Sequence, residues 1–317
     1  MAVGDVIALL TKHNCADYTT YLDLFGSSQH PIANGGLGDV FKGRLLDGTP
    51  VAIKTIRAYG SSENSMGTYQ KRAAKEIYTW SKCNHPNVVR LMGLAVFRNS
   101  LAMISRWEEN RNLLHYLSHN QHVDRCRLST SICAGLAYLH ENEIVHGDLK
   151  GDNVLIAGDG TPMLMDFGNA SILDATLQFT QTKSGPSFSL RWTAPEILRE
   201  KTAHTTAGDI YALGMTILEA LTAEIPYPNK KDQAVLTMVL NKKKAPARPK
   251  KIIPETSIYG NTLWGILKSC WSHNPKSRPS IKVVCHVMTP LTPEMLQEIE
   301  DEDETDEDED DMDQDED

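Results

Sequence analysis

The sequence predicts an α+β protein of two unequal lobes, a small antiparallel sheet followed by a larger helical body. Three observations carry this expectation. Residues 29–110 alternate apolar and polar side chains beside turn dipeptides such as Asp47-Gly48, the pattern of antiparallel hairpins. From Leu113 onward the apolar spacing becomes helical. A sheet-rich part ahead of a helical part implies two packed bodies with a cleft between them, and clefts of that kind hold ligands.

The strands expected are VFKGRL (40–45) and VAIKTIR (51–57), joined through DGTP, and then LAMISRW (101–107). A helix interrupts them in KRAAKEIYTW (71–80), where Ala73, Ile77 and Trp80 share a face. Further helices follow in LLHYLSH (113–119), LSTSICAGLAYLHE (128–141), AGDIYALGMTILEALTA (207–223) and LWGILKSCW (263–271). Residues 1–28 read as a short extension, and 29–291 as one two-lobed unit. Within that unit the sheet lobe runs to about 105, a linker covers about 106–112 and the helical lobe about 113–291. Residues 292–317 read as an acidic tail.

The chain has 317 residues and a net charge of −9, but the charge is unevenly placed. Residues 294–317 hold 17 of the 41 acidic residues and no Lys or Arg. Residues 1–293 are left with 24 acids against 32 bases, a surplus of eight positive charges that suits an anionic ligand such as a nucleotide. The acidic end repels itself and has little apolar area to bury, so disorder is expected there. Three roles stand open for it: an inert solubilising end, a segment folding back on the basic body, or a docking strip for basic partners.

No apolar run reaches 18 residues, so no membrane span is expected. The start MAVGDVIALLTKHN lacks the basic opening of a secretory signal. The six cysteines (15, 83, 126, 133, 270 and 285) form no C-x-x-C pair, which suits reduced thiols in cytoplasm or nucleus. The basic run NKKKAPARPKK (241–251) is read as a solvated loop, with a nuclear-targeting patch as the alternative. No nucleic-acid partner is expected. His115, His119, His122 and Cys126 have spacing that invites zinc, but they read as surface and core residues away from the chemistry below.

Four stretches carry chemistry. In ANGGLGDVFKG (33–43), glycines at 35, 36 and 38 let backbone N–H groups approach phosphate oxygens. A strand follows them and not a helix, which argues against a dinucleotide fold of the Rossmann type. VAIK (51–54) puts one lysine in an apolar strand, where it needs a partner, and Glu76 is the candidate. HGDLKGDN (146–153) supplies Asp148, Lys150 and Asn153, and MDFG (165–168) adds Asp166. Asn153 and Asp166 offer hard oxygens of the kind magnesium takes. Asp148 is then left to accept a proton from a hydroxyl, with Lys150 beside it to neutralise a transferring phosphoryl group.

In this order and spacing the stretches resemble the protein kinase family. HPNVVRL (85–91), RWTAPE (191–196), D-x-x-x-x-G from Asp209 to Gly214 and CWSHNPKSRP (270–279) extend the resemblance over residues 30–290. It implies a bilobal fold, ATP and Mg2+ as cofactors, and protein substrates. Lys54 would then hold the α- and β-phosphates with Glu76 fixing it, while Asp148 acts as base and Asn153 and Asp166 hold magnesium. Ala52 and Leu155 would enclose the adenine. Ile32, Ala33, Gly35, Gly38 and Val40 would form the cover over the nucleotide. Ser105 would stand at the entry to a hinge, Arg106–Glu108, that includes Trp107 and Glu108. Glu196 and Arg278 match the family's buried structural pair.

Lys150 and Ser189 resemble serine/threonine kinases, whereas RWTAPE resembles tyrosine kinases. That mixture is similar to the tyrosine-kinase-like group of serine/threonine kinases, and HGDLKGDNVLI and RWTAPEIL are similar to such kinases of mushroom-forming fungi. Tyrosine or dual specificity, or a pseudokinase scaffold, are the alternatives. The departures are Ala33 for the first loop glycine, Leu37 for the loop-tip aromatic, a small Ser105 and Gly147. In most of the family an arginine at the position of Gly147 binds a phosphate on the activation segment. Ser171, Thr176, Thr180, Thr182, Ser184, Ser187 and Ser189 all lie between Asp166 and Glu196. Glycine at 147 implies that activity does not depend on that ordering step.

Overall fold

A computed structural model describes residues 3–12, 15–34, 38–56, 76–167, 170–172 and 189–297. Gly35, Gly36, Leu37, Ala73, Gly168, the hydroxyls from Thr176 to Ser187 and the acidic run beyond residue 297 lie outside the described residues.

Among the described residues five antiparallel strands form the small lobe: β1 (Ala33–Asn34), β2 (Gly38–Arg44), β3 (Pro50–Ile56), β4 (Leu91–Phe97) and β5 (Ser100–Arg106), in the order β1-β2-β3-β5-β4. The β2–β3 hairpin closes at Asp47-Gly48, where the Leu45 N–H donates to the Thr49 carbonyl at 2.8 Å. β4 has no counterpart among the expected strands. Its sequence, LMGLAVF, is apolar almost throughout, and a strand covered on both sides loses the alternation that marks a half-exposed one. Phe41, Val51, Ile53, Phe97 and Ile104 form the core of one sheet face, with the Phe41 and Phe97 rings 5.3 Å apart.

Helix α1 (Val3–Thr11) precedes the sheet and lies against β4 and β5, with Ile7 buried. Helix α2 is described over residues 76–81. Glu76, Ile77, Thr79 and Trp80 face inward, and Tyr78 and Ser81 face out.

The large lobe contains α3 (Leu113–His119), α4 (Arg125–Glu141), α5 (Pro195–Leu198), α6 (Thr206–Thr222), α7 (Asp232–Leu236), α8 (Ile258–Cys270) and α9 (Ile281–Met288). Two short antiparallel pairs, the hairpin of β7 (Val154–Ile156) with β8 (Pro162–Leu164) and the long-range pair of β6 (Ile144–Val145) with β9 (Ser171–Ile172), carry the segments around the cleft. α4 starts three residues before its apolar run because the Asp124 carboxylate accepts the Arg127 N–H at 2.8 Å. α8 likewise starts at Ile258, where the Ser257 hydroxyl accepts the Gly260 N–H at 3.0 Å. α6 is buried almost all round, which makes it the axis of the lobe. The result is an α+β architecture with an antiparallel-sheet N-lobe and a helical C-lobe.

Candidate active site

Strand alternation places Lys54. In β3, Val51, Ile53 and Thr55 are buried, while Ala52, Lys54 and Ile56 share the other face. The Lys54 Nζ donates to Glu76 Oε1 at 2.7 Å and to Asp166 Oδ1 at 2.8 Å. Burial pushes the ammonium down, but the charges of Glu76 and Asp166 outweigh that and hold it above its ordinary value. Burial also pushes the Glu76 carboxyl up, against the pull of Lys54. The ion pair is thus one of mutual need: removing either partner strands the other in a poorly solvated place. Asp166 has a φ of +69°, a left-handed backbone that Asp tolerates better than most residues.

The start of the loop between β6 and β7 hangs from one carboxylate. Asp209, buried in the first turn of α6, accepts the His146 N–H on Oδ2 at 2.8 Å and the Gly147 N–H on Oδ1 at 2.9 Å. His140 Nε2 lies 2.9 Å from the same Oδ2. His146 in turn holds the strand that leads to Asp166, since its Nε2 lies 3.1 Å from the Met165 carbonyl and its Nδ1 accepts the Asp148 N–H at 3.2 Å.

Asp148, Lys150 and Asn153 converge. Lys150 Nζ donates to Asp148 Oδ2 at 3.0 Å and to Ser189 Oγ at 2.6 Å. The Asn153 amide donates to the Asp148 carbonyl at 2.7 Å and to Asp148 Oδ2 at 3.2 Å. Both donations use the amide nitrogen, so the Asn153 carbonyl oxygen is turned elsewhere. That oxygen and the Asp166 carboxylate make a hard donor set of the kind magnesium takes. Among the described residues no three His, Cys, Asp or Glu side chains converge on a metal position. An ion bound by Asn153 and Asp166 would therefore complete its shell with oxygens from water or a phosphate ligand.

The residues expected around a base are linked by the sheet ladder. Ala33 pairs with Val40, Val40 with Lys54, and Ala52 with Ser105. Ile32 donates its N–H to the Val40 carbonyl at 2.8 Å, and Gly38 opens β2 opposite Ile56. Ser105 is buried at the end of β5. Trp107 follows, its N–H on the Pro50 carbonyl at 3.2 Å, and then a half-buried Glu108 whose carboxyl burial pushes up. Leu155 sits on β7, bridged to Asn112 at the end of the linker.

Sequence reasoning did not single out Glu219. Its Oε2 accepts the Gly151 N–H at 2.9 Å and the Trp192 indole N–H at 2.8 Å, which ties the 146–153 loop to the 189–196 segment. Burial pushes its carboxyl up to about 7. The signal was present as a lone acid within the apolar run YALGMTILEALT, since a charge is rarely buried without a task. Arg278 and Glu196 form a bidentate pair with both contacts at 2.7 Å, buried between α5 and α6.

Comparison with known proteins agrees with this geometry. Residues 27–288 match the protein kinase domain family. The chain is 27% identical over 276 residues to the serine/threonine-protein kinase STY46 of Arabidopsis thaliana, covering 86% of this chain and 45% of that protein. It is 26% identical over 262 residues to the serine/threonine/tyrosine-protein kinase HT1 of Arabidopsis thaliana, covering 81% of this chain and 64% of that protein. It is 27% identical over 263 residues to the tyrosine-protein kinase SRK3 of Spongilla lacustris, covering 80% and 72%. The chain thus spans about half to two thirds of the plant relatives it matches. With five antiparallel strands over a helical lobe, a Lys54–Glu76–Asp166 link between them and a family match across most of its length, this chain belongs to the protein kinase domain family.

Proposed function

We propose that the protein transfers the γ-phosphoryl group of ATP to serine and threonine hydroxyls of protein substrates. The observation that carries this reading is the joint one: Lys54 is held by Glu76 and Asp166 while Asp148, Lys150 and Asn153 share one hydrogen-bonded cluster. A pseudokinase scaffold needs none of these pairings. In this reading Lys54 holds the α- and β-phosphates, and Asp148 orients the acceptor hydroxyl and takes its proton. Lys150 stabilises charge on the transferring group. Magnesium held by Asn153 and Asp166 supplies neutralisation of phosphate charge when bound. Ala52 and Leu155 enclose the adenine, with backbone groups of the 106–108 hinge at its edge. Ile32, Ala33, Gly35, Gly38 and Val40, with Ser105, Trp107 and Glu108, complete the nucleotide site.

The Lys150–Ser189 hydrogen bond supports Ser/Thr over Tyr, because it joins the two residues whose types resemble serine/threonine kinases. Membership of the tyrosine-kinase-like group fits the mixed features, and the relatives' names include Ser/Thr, Tyr and dual-specificity kinases. With Gly147 the enzyme is of the type lacking the loop arginine that would bind a phosphorylated activation segment. No helix among the described residues is long and apolar enough to cross a membrane. A cytoplasmic protein acting on protein substrates is the reading we favour, with the acidic end contacting basic partners or the basic body.

Radiolabelled ATP, a generic basic acceptor protein and phosphoamino-acid analysis test the proposal. Phosphoserine and phosphothreonine are expected, with Asp148→Asn lowering transfer by about 100-fold or more. Phosphotyrosine alone would overturn the specificity, and no transfer above the Asp148→Asn background would overturn the activity.

A further inference from the structure

The segment ahead of the sheet lobe is packed in a way that a loose extension would not be. Leu94, in the middle of β4, donates its N–H to the Ala16 carbonyl at 2.8 Å and accepts the Tyr18 N–H at 2.7 Å. Val96 donates its N–H to Thr19 Oγ1 at 3.0 Å. β4 is the edge of the sheet, so residues 16–19 form a strap that satisfies an otherwise open edge. The strap lies too close for any side chain at 93. A Cβ on Gly93 would stand 2.2 Å from the Ala16 carbonyl oxygen and 2.8 Å from the Tyr18 ring.

The strap also reaches α2. Cys15, one residue ahead of the strap, lies beside Ser81 in the last described turn of that helix. Ile7 of α1 and Cys15 belong to the same apolar cluster as Ile77 and Trp80 of α2 and Leu94 of β4. α2 carries Glu76 at one end, while its Trp80 donates to the Val89 carbonyl at 2.6 Å and stacks on Phe167 at 6.0 Å. Phe167 directly follows Asp166, so the position of α2 bears on both partners of Lys54 at once.

We infer that residues 3–12 and 15–19 brace α2 from behind, and that Ile7 and Cys15 are positioning residues for the Lys54–Glu76–Asp166 link. The inference rests on the kinase reading for its consequence in catalysis, but not for its structural content. Two full-chain variants lift the strap from separate ends: Ile7→Asp removes the apolar anchor of α1, and Gly93→Val fills the gap that the strap needs. Ile7→Leu keeps the anchor and serves as the conservative control.

Two measurements decide it. Amide hydrogen exchange of residues 77–81 is expected to quicken by about tenfold or more in Ile7→Asp and Gly93→Val, with α6 unchanged and Ile7→Leu close to wild type. In the phosphotransfer assay, the strap variants are expected to lower kcat by about tenfold with the peptide KM moved by less than about twofold. In a Glu76→Gln background the same substitutions should lower kcat by less than about twofold, because the link they act through is already gone. Unchanged exchange in α2, exchange that quickens equally in α6, or an equal loss of kcat in both backgrounds would overturn the brace. A wild-type protein without phosphotransfer would overturn the kinase reading instead, and the exchange measurement would still decide the brace.

Discussion

Gly147 donates its N–H to Asp209 Oδ1 at 2.9 Å while its own φ is +81°. The two facts belong together. Asp209 takes the amides of both His146 and Gly147, and turning two successive N–H groups to one carboxylate forces the second residue into left-handed backbone. The absence of a side chain at 147 thus avoids the strain that a Cβ would bring to this backbone. Gly147→Ala is expected to cost about 1 kcal/mol of stability, read as a lower urea midpoint with an unchanged slope.

The same glycine bears on control. Without a guanidinium at 147, a phosphate on the 171–189 segment has no partner at that position. Phosphatase-treated protein is expected to keep most of its activity. Loss of nearly all activity, mapped to one hydroxyl between Ser171 and Ser189, would show that another group does the holding.

Glu219 predicts a pH dependence. Burial raises its carboxyl from an ordinary 4.5 to about 7, against the pull of the Gly151 and Trp192 N–H groups, with Asp152 adding to the rise and Lys150 opposing it. A raised carboxyl favours the folded state when protonated. Its contribution is complete below pH 4.5 and is lost as the pH passes about 7, amounting to about 3 kcal/mol over that window. Glu219→Gln removes the titration while an amide oxygen remains to accept both N–H groups. Thermal midpoints measured from pH 5 to 8 should therefore fall more steeply for wild type than for the variant.

The Arg278–Glu196 pair predicts a non-additive response. Arg278→Met leaves a buried carboxylate without its partner and should cost about 3–5 kcal/mol in chemical denaturation. Adding Glu196→Leu removes the stranded charge, so the double variant should recover more than half of that loss. A double variant as unstable as the sum of the singles would mean that the two side chains act separately.

Much of the fold was legible because its signals are local. Alternation in VAIKTIR placed Lys54 on one face with Ala52, and the apolar spacing of AGDIYALGMTILEALTA marked α6. β4 was not legible, because burial on both faces erases the period of two. Helix starts shifted by three to five residues, because Asp124 and Ser257 act as caps ahead of the apolar run. Of the site, the Lys54–Glu76 pairing was legible from a lone lysine in an apolar strand, which must find an acid.

By itself, then, the sequence marked which residues bring charged and polar groups to the cleft, since Lys54, Asp148, Lys150, Asn153 and Asp166 stand out by type and spacing along the chain. Only the tertiary structure decided what holds them. Asp209 gathering the loop amides, Glu219 joining Gly151 to Trp192, and the strap clasping Leu94 are contacts between residues 27 to 78 positions apart. Periodicity reaches one turn or one pleat along the chain. The partner of a buried donor is chosen by how lobes and helices pack, and it leaves no mark in the neighbouring sequence beyond a polar residue where an apolar one would do.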